Sequence, residues 1–112
     1  MEYLPLFLKV ADARVLLVGG GVVAVRKARL LLRAGADLVV VAPQVCDELQ
    51  ALLGDAGGSW RQARYTATDL DGATLVVAAT GDRAVNEAVH RDATAQGLPV
   101  NVVDSPDLCT AV

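Results

Sequence analysis

The sequence predicts an α/β domain in which a parallel sheet of strand order 3-2-1-4-5 carries helices on both faces. Three observations point there. Short runs rich in β-branched residues alternate with stretches of helical periodicity. One of these runs, Thr74 to Ala79, is continuously apolar, as expected for a parallel strand covered on both sides. The chain is 112 residues long, without a linker or internal repeat, which suits one core and one layered unit.

The elements follow in order. Val15 to Val18 is the first strand. A helix is expected from Val22 to Ala34, with Val25, Ala28, Leu31 and Leu32 on one face, Arg26, Arg29 and Arg33 on another, and Gly35 to end it. Leu38 to Val41 is the second strand and completes a β-α-β unit. After Pro43, Glu48 to Leu53 reads as a short helix and Gly54 to Ser59 as a glycine-rich surface turn. Trp60 to Tyr65 is expected as a third strand, placed at an edge by Arg61, Gln62 and Arg64. Thr74 to Ala79 is the central fourth strand. Asp82 can cap a helix from Arg83 to Gln96 whose Val85, Ala88, Val89 and Ala93 share a face, and Gly97 ends it. Pro99 to Val103 is the fifth strand, and right-handed crossovers then give the order 3-2-1-4-5.

Composition excludes several classes of function. A hydrophobic fraction of 54% and a charged fraction of 21% fit a packed globular chain. No apolar run approaches the roughly 20 residues of a spanning helix, so no membrane partner is expected. A net charge of -3 argues against nucleic acid, which is gripped through many Lys and Arg contacts. Met1 is followed by Glu2 and Tyr3, not by a basic and then an apolar segment, which points to the cytoplasm. Cys46 and Cys109 stand apart without companion ligands, so they are expected as reduced structural thiols and no metal site is assigned.

The chemistry concentrates after the first strand. Gly19-Gly20-Gly21-Val22-Val23-Ala24 fits G-x-G-x-x-G/A between a strand and a helix, the signature of a dinucleotide-binding Rossmann domain. Gly19 permits the tight turn, Gly21 lets the backbone approach a pyrophosphate, and Ala24 keeps the helix close to the strand. The helix start supplies free N–H groups and partial positive charge. One usual feature is missing. About 20 residues past the loop, where an acid would hold the adenosine ribose, the sequence reads Val41-Ala42-Pro43-Gln44. With neither an acid nor an Arg there, the ribose falls to backbone groups or to Gln44, whose alternative is a solvated loop residue. NAD+ is therefore expected to be preferred to NADP+ only modestly.

Along its whole length the sequence resembles the N-terminal domain of siroheme synthase, also found as stand-alone precorrin-2 dehydrogenase. The likeness lies in Tyr3-Leu4-Pro5-Leu6-Phe7, Val18-Gly19-Gly20-Gly21, Val23-Ala24, Arg26-Lys27-Ala28, Ala78-Ala79-Thr80 and Asn101-Val102-Val103-Asp104. It implies NAD+-dependent oxidation of precorrin-2 to sirohydrochlorin, a tetrapyrrole substrate, a homodimer for the full-length protein, and ferrochelatase activity coupled to the same polypeptide. It also implies cofactor contacts at the glycine loop with Val22 and Val23, at Pro43 and Gln44, and at Thr80. Asp104 matches the family's functional carboxylate, while its other reading is an Asp-Ser-Pro turn former. Arg26 and Lys27 could meet phosphate or an acidic macrocycle, or simply form a solvated helix face. His90 is given no role. The family continues beyond the place where this sequence stops, at Val112, into a dimerisation region and a helical segment, so the chain alone is expected to bind NAD+ but turn over little. The competing function is a non-catalytic NAD-binding regulatory module.

Overall fold

The structure is a computed structural model and describes residues 10–103. Five strands, β1 (Arg14–Val18), β2 (Asp37–Ala42), β3 (Ser59–Gln62), β4 (Leu75–Ala78) and β5 (Val100–Val102), form one sheet in the order β3-β2-β1-β4-β5. Every pairing is parallel, with Leu16 beside Val39 on one side and Val76 on the other. The helices are α1 (Val22–Arg33), α2 (Asp47–Ala56) and α3 (Arg83–Ala95). The predicted class and strand order are both found.

The period of two along the strands divides the core into two layers. Val15 and Leu17 of β1 join Leu38 and Val40 of β2 under α1 and α2, whereas Leu16 and Val18 join Val76 and Ala78 of β4 under α3. Because both sides are filled, the central strands read as unbroken apolar runs and not as alternations. The run Arg26 to Arg33, rich in good helix formers, sustains α1, and Arg33 in the last turn faces the negative end of the helix dipole. Ala24 and Ala28 are completely buried, so α1 lies close against the sheet. Leu31 and Leu32 of the expected apolar face are half-buried at its margin.

Two boundaries differ from the sequence expectation by more than one residue, the end of α2 and the end of β3. The helix predicted to stop at Leu53 continues to Ala56, through Gly54 and Asp55, and ends at Gly57 with φ of 87°. Burial of Leu49 and Leu53 holds this helix against α1, which outweighs the roughly 1 kcal/mol that Gly54 costs in a helix. The third strand starts at Ser59 and stops at Gln62, so Ala63, Arg64 and Tyr65 are not strand residues. Beyond Tyr65, a 3₁₀ turn at Ala67–Leu70, absent from the sequence reading, buries Leu70 beneath β4 and α3.

That turn explains why β3 ends early. Asp69 accepts a hydrogen bond from the Thr66 N–H (2.8 Å) and receives Arg61 through Nε (2.6 Å) and Nη2 (2.9 Å). Arg61 also donates to the Arg64 carbonyl (3.3 Å), folding the chain back after Gln62. Burial alone would raise the Asp69 carboxyl, whose side chain is 8% exposed, but the Arg61 guanidinium and the Thr66 bonds outweigh it and hold the group below its ordinary value. A depressed carboxyl contributes stability that is complete above its ordinary value of about 4 and is lost as pH falls through the folded-state value. Asp69→Ala is therefore expected to cost about 1 kcal/mol at neutral pH. Urea titrations should show the gap to the parent closing as pH drops below about 4. A gap that persists unchanged in acid would remove the carboxylate's charge from the explanation.

Candidate functional site

The C-terminal ends of all five strands open on one edge, and the strand order reverses between β1 and β4. In open α/β sheets that reversal leaves a crevice, because the connections on its two sides depart to opposite faces. The crevice is present as a cleft of about 910 Å³, lined by the β1–α1 loop, the exit of β2, Thr80 to Asp82 after β4, one face of α3, and Val103 after β5.

The three glycines of the first loop do different things. Gly19 has φ of 137°, and a Cβ there would run into the Ala79 carbonyl, with the carbonyl carbon at 2.8 Å, so glycine is required for β1 and β4 to exit side by side. Gly20 is pressed against the Gln44 carbonyl, with Val45 Cα at 3.0 Å from the site of a Cβ, and its own carbonyl accepts the Cys46 N–H (2.7 Å). These contacts hold the β2 exit against the loop. Gly21 differs from both. Its backbone is extended, with φ of -98° and ψ of -163°, and a Cβ would meet nothing within 4 Å. No contact with a described residue requires glycine here, and Gly21 is itself part of the cleft lining.

Gly21 is also the N-cap of α1, where it makes no side-chain cap, and the first turn carries no acid. The opening N–H groups of a twelve-residue helix are thus left for an anion in a cleft with room for one. Val22, 63% exposed, adds apolar surface at the same mouth. These residues fit a dinucleotide's pyrophosphate.

Gly19, Gly20, Gly21, Val22, Val23, Pro43, Gln44 and Thr80, all expected to bind cofactor, line the cleft together. Ala24, expected both to pack the helix and to be among the cofactor-binding residues, is buried on the inner face of α1 and lies outside the lining, so it packs the helix on the sheet without reaching the cleft. Arg26 and Lys27 lie outside the lining, as does His90. Asp104 lies outside the described residues; Val103, the residue before it, lines the cleft and donates its N–H to the Ala78 carbonyl (3.0 Å).

Two contributors were not foreseen. Asn86 on α3 is the buried polar residue among those described, and its Oδ1 accepts the Thr80 hydroxyl (2.6 Å) and N–H (3.3 Å) while its Nδ2 donates to the Thr80 carbonyl (3.1 Å). Thr80 is therefore held by backbone and side chain together. The available signal was an amide at i−3 and i−7 from Val89 and Ala93, on the buried stripe of α3. The second is Arg64, brought to the cleft from beyond β3, together with Tyr65. Burial, and then the hydrogen bond to Asp92 (2.9 Å), push the Tyr65 phenol well above its ordinary value, so it is a donor at neutral pH and not a base. Asp82, the carboxylate of the lining, is occupied as the cap of α3, accepting from Ala84 (2.9 Å) and Val85 (3.4 Å). Among the described residues no group of His, Cys, Asp and Glu side chains could hold a metal ion, and no helix is long and apolar enough to cross a membrane.

A five-stranded parallel sheet with a glycine turn, an uncapped helix start and a cleft at the strand reversal defines a dinucleotide-binding domain of the Rossmann type. Residues 6–112 match the family described as "Putative NAD(P)-binding", and the chain belongs to that family. It is 54% identical over 112 residues to a siroheme synthase of Pseudomonas entomophila (strain L48) and 53% identical over 112 residues to that of Azotobacter vinelandii (strain DJ / ATCC BAA-1303). Each match covers 100% of this chain and 24% of the relative, so the chain spans 24% of the length of these curated relatives. Among solved structures it is similar to SirC, precorrin-2 dehydrogenase, with a TM-score of 0.69 and 32% identity, over 75% of this chain and 42% of that one. The resemblance to siroheme synthase and precorrin-2 dehydrogenase seen in the sequence thus holds in both comparisons.

Proposed function

We propose that the chain is the NAD+-binding part of a precorrin-2 dehydrogenase that forms sirohydrochlorin on the way to siroheme. The observation that carries this reading is the space at Gly21 over an uncapped α1, in a chain similar along its whole length to siroheme synthases. The pyrophosphate rests on the α1 N–H groups, which bind it without a side-chain cation. Gln44 and the Pro43 backbone meet the adenosine ribose, and Val22 and Val23 cover the cofactor with apolar surface. The Asn86 clamp fixes the Thr80 peptide at the opposite wall, so that the reacting end of the cofactor is oriented and not merely captured. When bound, the nicotinamide supplies the hydride acceptor for the macrocycle.

A proton must also leave the substrate. Of the ionisable groups lining the cleft, Tyr65 is held protonated and Asp82 is tied through its Oδ1 to the head of α3. Asp104, next in the chain after Val103, is the carboxylate we assign to that proton. Anaerobic incubation of precorrin-2 and NAD+ with a polypeptide containing this chain should yield NADH and sirohydrochlorin in equal amounts. Tight NAD+ binding without turnover would instead favour a regulatory module.

A further inference from the structure

We infer that Arg64 is the residue that reads the adenosine 2′-position of the bound dinucleotide, and that it opens the cleft to a 2′-phosphorylated dinucleotide of the NADP class. This rests on the reading of the cleft as an NAD(P) site.

Discrimination at the 2′-position is normally made at the end of β2, by an acid that bonds the free hydroxyl or by a nearby Arg that meets the phosphate. Here β2 ends at Ala42 and is followed by Pro43 and Gln44, which offer neither an acid nor an Arg. The neighbouring strand supplies what β2 lacks. The last rung of the pairing sets Ala42 beside Gln62, and the Gln62 amide donates to the Pro43 carbonyl (3.4 Å), which ties the two strand exits together. Arg64 follows two residues later and lines the cleft together with Pro43 and Gln44.

The backbone around Arg64 is fixed while its guanidinium has no partner among the described residues. Its carbonyl accepts Arg61 Nη2 (3.3 Å), Arg61 is itself anchored twice on Asp69, and the Tyr65 hydroxyl is bonded to Asp92 on α3. The charges beside it are thus already matched: Arg61 by Asp69, and Asp92 by the phenol and by Arg91 at 3.9 Å. The Arg64 side chain makes no hydrogen bond or ion pair with any described residue, although five N–H donors stand on an exposed arm at the rim of an anion-binding cleft. A planar fork suits a phosphate monoester, which it can engage with two parallel bonds.

Calorimetric titration of this chain with NAD+ and with NADP+, in the parent and in Arg64→Ala, tests the assignment. The parent is expected to bind both. Arg64→Ala should weaken NADP+ by about tenfold, equivalent to about 1.4 kcal/mol, and change NAD+ by less than about twofold. Arg64→Lys should fall between the two, since it keeps the charge and loses the fork. An unchanged melting temperature would show that Arg64→Ala folds as the parent does. Equal losses for both dinucleotides, or no loss for either, would overturn the role of Arg64 while leaving the cleft intact. Failure of the parent to bind either one would overturn the cleft reading, and this inference with it.

Discussion

Gly21→Asp is expected to abolish dinucleotide binding while leaving the chain at least as stable as the parent. The two halves of this result have separate causes. The backbone at Gly21 is extended, with φ of -98°, a conformation open to any residue, and a Cβ there touches no described residue within 4 Å. Asp is moreover among the best N-cap residues, and a carboxylate at the positive end of α1 should add about 0.5 to 1 kcal/mol. The same carboxylate fills the space through which a pyrophosphate would approach, captures the N–H groups it would use, and repels its charge. Urea unfolding and calorimetric titration on one preparation read the two effects independently. Undiminished affinity in a stable variant would sink the assignment of the glycine loop. Gly19 and Gly20 could not serve for this test, since a side chain at either would strike the backbone of Ala79 or Gln44 and perturb fold and binding together.

Much of this was legible in the sequence, because it depends on interactions close along the chain. The runs Val15 to Val18, Leu38 to Val41 and Leu75 to Ala79 are apolar on both faces, as a covered parallel sheet requires, and the glycine loop fixes where the first helix starts. The third strand is shorter than its sequence suggests because its end is decided by Arg61 reaching Asp69, eight residues away, a pairing that no local propensity announces. Likewise α2 runs through Gly54 because Leu53 is buried against the sheet layer, so packing prevails over propensity. The same distinction divides the site. Gly21 and Gln44 follow from motif and strand position and Pro43 and Thr80 from the family resemblance, whereas Arg64 reaches the β2 exit only through strand pairing, and Asn86 acquires its role only once α3 lies over Thr80.

Asp104→Asn is expected to separate cofactor binding from turnover. The substitution preserves shape and hydrogen-bonding capacity and removes the ability to take a proton. A chimera in which this chain replaces its matching region in the Pseudomonas entomophila siroheme synthase supplies the remaining 76% of a curated relative as the background for the assay. In that protein the Asn variant should bind NAD+ within about twofold of the parent while precorrin-2 oxidation falls by about 10² to 10⁴, the usual range for loss of a general base. The prediction follows from what the cleft otherwise contains. Tyr65 holds its proton, Arg64 carries no base, and Asp82 is held at the head of α3 by its Oδ1, which accepts from Ala84 and Val85. The pH dependence of the parent should accordingly show a single acidic limb from the loss of one carboxylate base, and the Asn variant should lose that limb along with the rate. Near-normal turnover by the variant, with the limb retained, would reduce Asp104 to a turn former and place the proton acceptor outside this chain or on the substrate itself.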